Sequence, residues 1–127
     1  MANPASLHMN HRVDVEVNTR RSKSRGLADA DWQPAAELPR HQDVPCLLAL
    51  DPERREFRHG TIETIRSGRV FFDQDPGALG TYHRLVTRPA GGLSAGVVLT
   101  ILAEATDDRG LGLLWKAPIE AIGPVRG

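Results

Sequence analysis

Residues 44–50 (VPCLLAL) and 60–72 (GTIETIRSGRVFF) decide the fold class of this chain. The first run is apolar on both faces of an extended chain, which is typical of a strand buried on both sides. Between the two runs, Asp51-Pro52-Glu53-Arg54 combines a proline with acids in a pattern that favours a turn. In the second run, Ser67-Gly68 predicts another turn, placed between an extended segment and the apolar strand Arg69–Asp73. Short strands separated by turns predict an all-β protein.

The rest of the chain continues this pattern to about six strands. Extended segments are predicted at 81–87, 96–103 and 111–115, and Ala117–Ile122 is predicted to form a short helical turn. Strands of this number and spacing predict a small antiparallel six-stranded β-barrel, whose interior is filled by its own side chains. The side chains expected in the core are Leu48, Leu50, Ile62, Val70, Phe72, Leu85, Val98, Leu99, Ile101, Leu113 and Trp115.

The first 43 residues differ in composition from the remainder. Residues 11–17 alternate polar residues with valines, which predicts a strand with one buried face. Residues 20–25 carry four positive charges, and residues 27–43 form an acidic connector that contains Trp32. We therefore expect an extended N-terminal arm and linker over 1–43, a barrel domain over 44–122 and a tail over 123–127.

Composition excludes several classes of protein. The 127 residues carry 16 Lys and Arg against 16 Asp and Glu, and this zero net charge disfavours nucleic acid as a partner. No apolar run approaches the ~20 residues that a membrane helix needs, and no secretory signal is visible. These features predict a cytoplasmic protein with no membrane partner.

No pattern in the sequence indicates catalysis. The chain has no phosphate-binding glycine loop and no Gly-x-Ser-x-Gly motif, and its five histidines are dispersed. Cys46 follows a proline inside an apolar strand, which favours a buried structural thiol over a reactive one. The sequence therefore predicts a protein that is not an enzyme and that has no metal site and no cofactor.

The same two runs, with the closing segments 96–103 and 107–115, resemble the PilZ domain family over roughly residues 40–116. The resemblance implies a six-stranded antiparallel barrel that binds cyclic di-GMP. In that family an Arg-x-x-x-Arg motif grips the ligand, and an Asp/Asn-x-Ser-x-x-Gly turn holds its other side. PilZ-like domains with degenerate motifs act as protein adaptors.

Both motifs depart from the family pattern in this chain. Counting back from Gly68, Glu63 occupies the acid position and Ile65 the serine position, and an isoleucine side chain cannot hydrogen-bond. The segment Arg21-Ser22-Lys23-Ser24-Arg25 fits Arg-x-x-x-Arg but lies upstream of the expected place. We therefore expect a partner protein, with a cyclic dinucleotide bound weakly if at all. The candidate phosphate-binding residues are Arg20, Arg21, Arg25, Arg66, Ser67 and Gly68.

A structural assembly subunit is the alternative reading. A small barrel with a long polar arm suits phage decoration, head-completion or tail proteins, in which an arm adds a strand to the sheet of a neighbouring subunit. Residues 13–17 would be the donated strand, the protein would be located in a virion, and it would be a homo-oligomer. A third reading, an enzyme whose site is assembled only in an oligomer, has no residue that supports it.

Overall fold

The computed structural model describes residues 8–20, 31–58, 60–90 and 95–122. All the strands that it contains belong to one sheet. In chain order they are β1 (His11–Asn18), β2 (Trp32–Pro34), β3 (Val44–Leu50), β4 (Arg54–Arg58), β5 (Thr61–Phe72), β6 (His83–Arg88), β7 (Val98–Ile101), β8 (Thr106–Asp107) and β9 (Trp115–Ile122).

Six of these strands close into a barrel. The sheet order β5–β3–β1–β6–β7–β9 returns to its start because β9 also pairs with β5. Every pairing is antiparallel. The predicted all-β, six-stranded antiparallel barrel is therefore confirmed. Strands β2, β4 and β8 attach outside the ring, to β1, β5 and β9 respectively.

Strand β1 is one of the six strands of the barrel, so the predicted start of the barrel domain at residue 44 is wrong. Its valines alternate inward and are buried, and its two edges pair with β3 and β6. On the outer face Glu16 accepts a hydrogen bond from Arg84 Nε at 2.7 Å, and Asp14 pairs with Arg88. The sequence pattern predicts this strand correctly but does not show that its partners in β3 and β6 lie 31 to 76 residues further along the chain. Residues 13–17 are therefore not free to be donated to a neighbour.

Three further local predictions are wrong. Ser67-Gly68 is not a turn, since β5 runs without interruption from Thr61 to Phe72. Residues 117–122 form strand rather than a helical turn, because β9 must pair along its whole length with β5 to close the ring. The expected strand at 111–115 is largely a loop that begins with a 3-10 turn at Asp108–Gly110.

The barrel interior is filled by side chains from all six barrel strands. Most of the predicted core is confirmed, and Val70, Phe72, Leu85, Leu99 and Ile101 are at most 2% exposed. Ile62, Val98 and Leu113 are the errors, because Ile62 lies beyond the barrel wall, Val98 faces outward on β7, and Leu113 lies in a loop. The cavity beside Val15, Leu38 and Phe72 holds only about 10 Å³. Among the described residues, no helix has the length and apolar character needed to cross a membrane.

We predict that Phe72→Ala lowers the free energy of unfolding by about 3–5 kcal/mol, the range typical of removing a buried phenylalanine ring. Ile62→Ala should change it by less than about 0.5 kcal/mol, because the side chain is 72% exposed. Urea denaturation monitored by Trp fluorescence measures both values. Similar losses for the two variants would contradict this placement of the core.

We also predict that Asp14 makes the barrel sensitive to acid. Burial acts to raise the pKa of Asp14, but hydrogen bonds from Arg88 and from the Asp43 amide, with the Arg88 charge, outweigh it and lower the pKa below the ordinary 3.8. A lowered pKa stabilises the fold fully above pH 3.8, and the stabilisation is lost as the pH falls through the lower, folded-state value. The difference in unfolding free energy between wild type and Asp14→Asn should therefore shrink on going from pH 7 to pH 3. Glu104→Gln, an exposed carboxylate, is the control and should show no such change.

Candidate functional site

Three of the predicted site residues are consecutive in the middle of β5. Arg66, Ser67 and Gly68 lie where β5 passes from its pairing with β4 to its pairing with β3. Arg20 follows the end of β1, and Arg21 and Arg25 lie outside the described residues.

Arg20 does not meet the other three residues. Strand β1 pairs with β3 only at His11–Val13 and Val44–Cys46, and from there the two strands run in opposite directions. At ~3.3 Å per residue, Asn18 lies about 16 Å from Val13 along β1, and Leu50 lies about 20 Å from Val44 along β3. Gly68 pairs with Leu50 at the far end of β3. A single site that uses Arg20 against Arg66, Ser67 and Gly68 is therefore not formed, because the antiparallel register separates them.

Gly68 is the point at which β5 lies unusually close to β3. Ile65 and Val70, on either side of it, are five residues apart and therefore lie on opposite faces of β5, and both are fully buried. A Cβ atom on Gly68 would overlap the carbonyl oxygen of Ala49 and come within 2.9 Å of Leu50 Cα. Glycine therefore allows β3 to approach closely at this corner of the barrel.

A groove of about 240 Å³ lies beside Gly68, and we call it the Ser67 groove. Polar groups from Asp51, Ser67 and Arg69 line it together with apolar groups from Phe71, Leu102 and Pro118. Arg54 Nη1 donates a hydrogen bond to Ser67 Oγ at 2.8 Å, and Arg66 Nε donates to the backbone oxygen of Asp51 at 3.0 Å. Ser67 thus has an arginine rather than a general base beside it, an arrangement suited to binding rather than to nucleophilic catalysis.

A ladder of charges ties the β4–β5 hairpin to the barrel. Arg54 contacts Glu56, Glu56 contacts Arg58 at 3.2 Å, and Arg58 Nη1 contacts the buried Glu120 at 2.8 Å. The hydrogen bond from Arg54 lowers the pKa of Glu56; burial opposes this effect, and the hydrogen bond from Arg58 adds to it. One face of the hairpin is therefore committed to contacts within the molecule.

The opposite face of the hairpin is the feature that sequence reasoning missed. Phe57 and Ile62 are direct cross-strand partners and are 75% and 72% exposed. Their apolar character suggested a core position for Ile62, and no local signal in the sequence reveals that this part of β5 extends beyond the barrel wall. We call Arg55, Phe57, Ile62 and Thr64 the outer hairpin face.

The remaining candidate groups are occupied or buried. His83 is buried; its Nδ1 accepts the Gly80 amide, so Nε2 carries the proton toward Glu37 Oε1 at 2.9 Å. Burial raises the pKa of Cys46 to about 12, which agrees with the predicted buried thiol. In the part of the chain that the structure describes, no three His, Cys, Asp or Glu side chains form a group that could hold a metal ion. His59 lies outside the described residues.

We predict that Gly68→Ala lowers the free energy of unfolding by about 1–3 kcal/mol, since the added methyl group forces β3 and β5 apart. Gly80→Ala is the matched control, because its methyl group would meet nothing closer than 3.9 Å. Equilibrium unfolding in urea compares the two. Equal stability of the two variants would show that β5 does not need a glycine at position 68.

No family model, no curated protein and no solved structure matches this chain. The resemblance to PilZ domains therefore remains a prediction from the sequence. Function has to be argued from the Ser67 groove and the outer hairpin face.

Proposed function

We propose that this chain is a non-enzymatic adaptor module of the PilZ-like kind, which works in the cytoplasm by binding a partner protein. The observation that carries the proposal is the outer hairpin face. Two large apolar side chains, Phe57 and Ile62, lie side by side with about three-quarters of their surface in water. Contiguous exposed apolar groups of this kind are typical of protein interaction sites.

The support behind this face suits recognition of a protein. The ladder of Arg54, Glu56, Arg58 and Glu120 holds the hairpin against β9, so the outer face is already in place before a partner arrives. A preformed surface loses less conformational freedom on binding than a mobile one. Aromatic anchors near the centre of an interface commonly carry much of its binding energy.

Cyclic di-GMP is a weaker candidate, and we propose it only as a secondary ligand of the Ser67 groove. Arg66 and Arg69 would offer positive charge to its phosphates, and Ser67 would offer a hydroxyl group. Two features oppose tight binding: an acidic residue, Asp51, lines the groove, and Ile65, at the serine position of the family motif, is fully buried. Arg20 lies in a different part of the barrel from the groove and would not contact a ligand bound there.

The alternative, a homo-oligomeric assembly subunit of a virion, has lost its candidate segment. Residues 13–17 belong to β1, a strand of the barrel wall. This strand pairs with β6 along one edge and with β3 and β2 along the other, so these residues cannot add to the sheet of another subunit. Under that reading another surface would have to make the contacts between subunits.

We predict that a photo-crosslinking residue at position 57, in the cells that produce the protein, captures one discrete partner. Mass spectrometry identifies that partner, and titration of the purified pair by calorimetry should then give a dissociation constant that Phe57→Ala weakens at least tenfold. The matched control carries the crosslinker at position 111. Leu111 is 66% exposed and lies in the loop before Trp115, the first residue of β9. Trp115 pairs with Phe72, at the end of β5 that is remote from the hairpin.

Two results would contradict the adaptor proposal. The first is equal labelling from positions 57 and 111, or none from either. The second is micromolar binding of cyclic di-GMP that Arg66→Ala with Arg69→Ala abolishes while position 57 captures nothing. That second result would assign the function to the groove.

A further inference from the structure

Strand β4 presents an open edge of the sheet. It pairs with β5 on one side, and no strand within the described ranges pairs with its other side. Such an edge carries backbone donors and acceptors that an added strand can satisfy. The described hairpin thus combines an open edge with an exposed aromatic side chain.

The two faces of β4 are chemically different because side chains alternate along a strand. Arg54, Glu56 and Arg58 form the ladder that reaches Glu120. Arg55 and Phe57 point the other way, opposite their partners Thr64 and Ile62. A strand added at this edge would therefore meet Arg55 and Phe57 on one face and the occupied ladder on the other.

Charge selects the added strand. Glu56 and its cross-strand partner Glu63 both lie on the ladder face, so the outer hairpin face holds no carboxylate. Arg55 is exposed and makes no ion pair or side-chain hydrogen bond with any residue that the structure describes. A second copy of this chain would bring two such basic faces together, whereas an acidic strand would complement them.

We propose that the partner binds by adding an extended, acidic and apolar segment to the free edge of β4. This inference rests on the proposed adaptor function and specifies its partner. An apolar side chain of the segment packs on Phe57 and Ile62, and a carboxylate two residues away pairs with Arg55. Main-chain hydrogen bonds supply affinity, and the alternate side chains supply specificity, as in other cases of strand addition.

The test uses the whole chain, labelled with ¹⁵N, and two blocked ten-residue peptides as probes. One peptide carries valine and glutamate two residues apart with threonine between them, so that both point to the same face of an added strand. The control peptide carries lysine in place of each glutamate. We expect the acidic peptide to bind at least tenfold more tightly and to slow hydrogen exchange of amides within residues 54–58, with no change in β8. Arg55→Glu, at an exposed position outside the ladder, should keep the fold and reverse the preference between the peptides.

Equal binding of the two peptides, or tighter binding of the acidic one without slower exchange in β4, would overturn the inference. So would a dimer in sedimentation equilibrium whose formation slows exchange in β4, because the edge would then belong to a second copy. If crosslinking from position 57 still captures a partner, the adaptor function stands and only strand addition fails. If position 57 captures nothing, the adaptor function itself fails.

Discussion

The pairing of β5 with β9 is the contact on which the rest of this structure depends. It runs through eight residue pairs, from Ile65 opposite Ile122 to Phe72 opposite Trp115, and it turns an open sheet into a ring. Without it both strands would be edges, and the buried faces of Val70 and Ile119 would be exposed to water. Because these strands lie more than 40 residues apart, closure is a non-local event that local sequence preference cannot produce by itself.

Closure makes two demands on β5, and the functional surfaces result from how they are met. The strand must line the barrel at Phe72 and also continue outward to pair with β4. Gly68 allows β3 to approach closely between these halves, and the Ser67 groove lies beside it. Residues 61–64 of β5 extend past its pairing with β9, and the ladder to Glu120 ties this part of the hairpin to the barrel. The face that the ladder does not use is left exposed.

The sequence contained enough information to predict the fold class but not to place every strand. Alternating valines in β1 and the apolar run of β3 have local signatures, and both strands were recognised. Membership of β1 in the barrel was missed because it is decided by pairing with β6, some 70 residues away. Ile62 is predicted in the core because its apolar character does not reveal that residues 61–64 of β5 extend past the pairing with β9. Ser67-Gly68 was read as a turn because a glycine that permits close approach looks, in sequence, like a glycine that permits a turn.

The candidate site was harder to predict than the fold, for an electrostatic reason. The positions of the arginines in the sequence do not reveal which of them form ion pairs with carboxylates in the fold. Only an arginine that forms no such ion pair is available to bind an acidic ligand. Arg58 faces Glu120 and Arg54 faces Glu56, so neither is available, whereas Arg55 is. In the Ser67 groove an incoming anion would meet the acidic residue Asp51 as well as Arg69. On the outer hairpin face, whose four residues include no acid, an acidic segment would meet Arg55 and could bury Phe57 in the same step. Charge and apolar burial favour the same surface there, whereas in the groove the charges oppose each other, and for this reason we assign recognition to the hairpin.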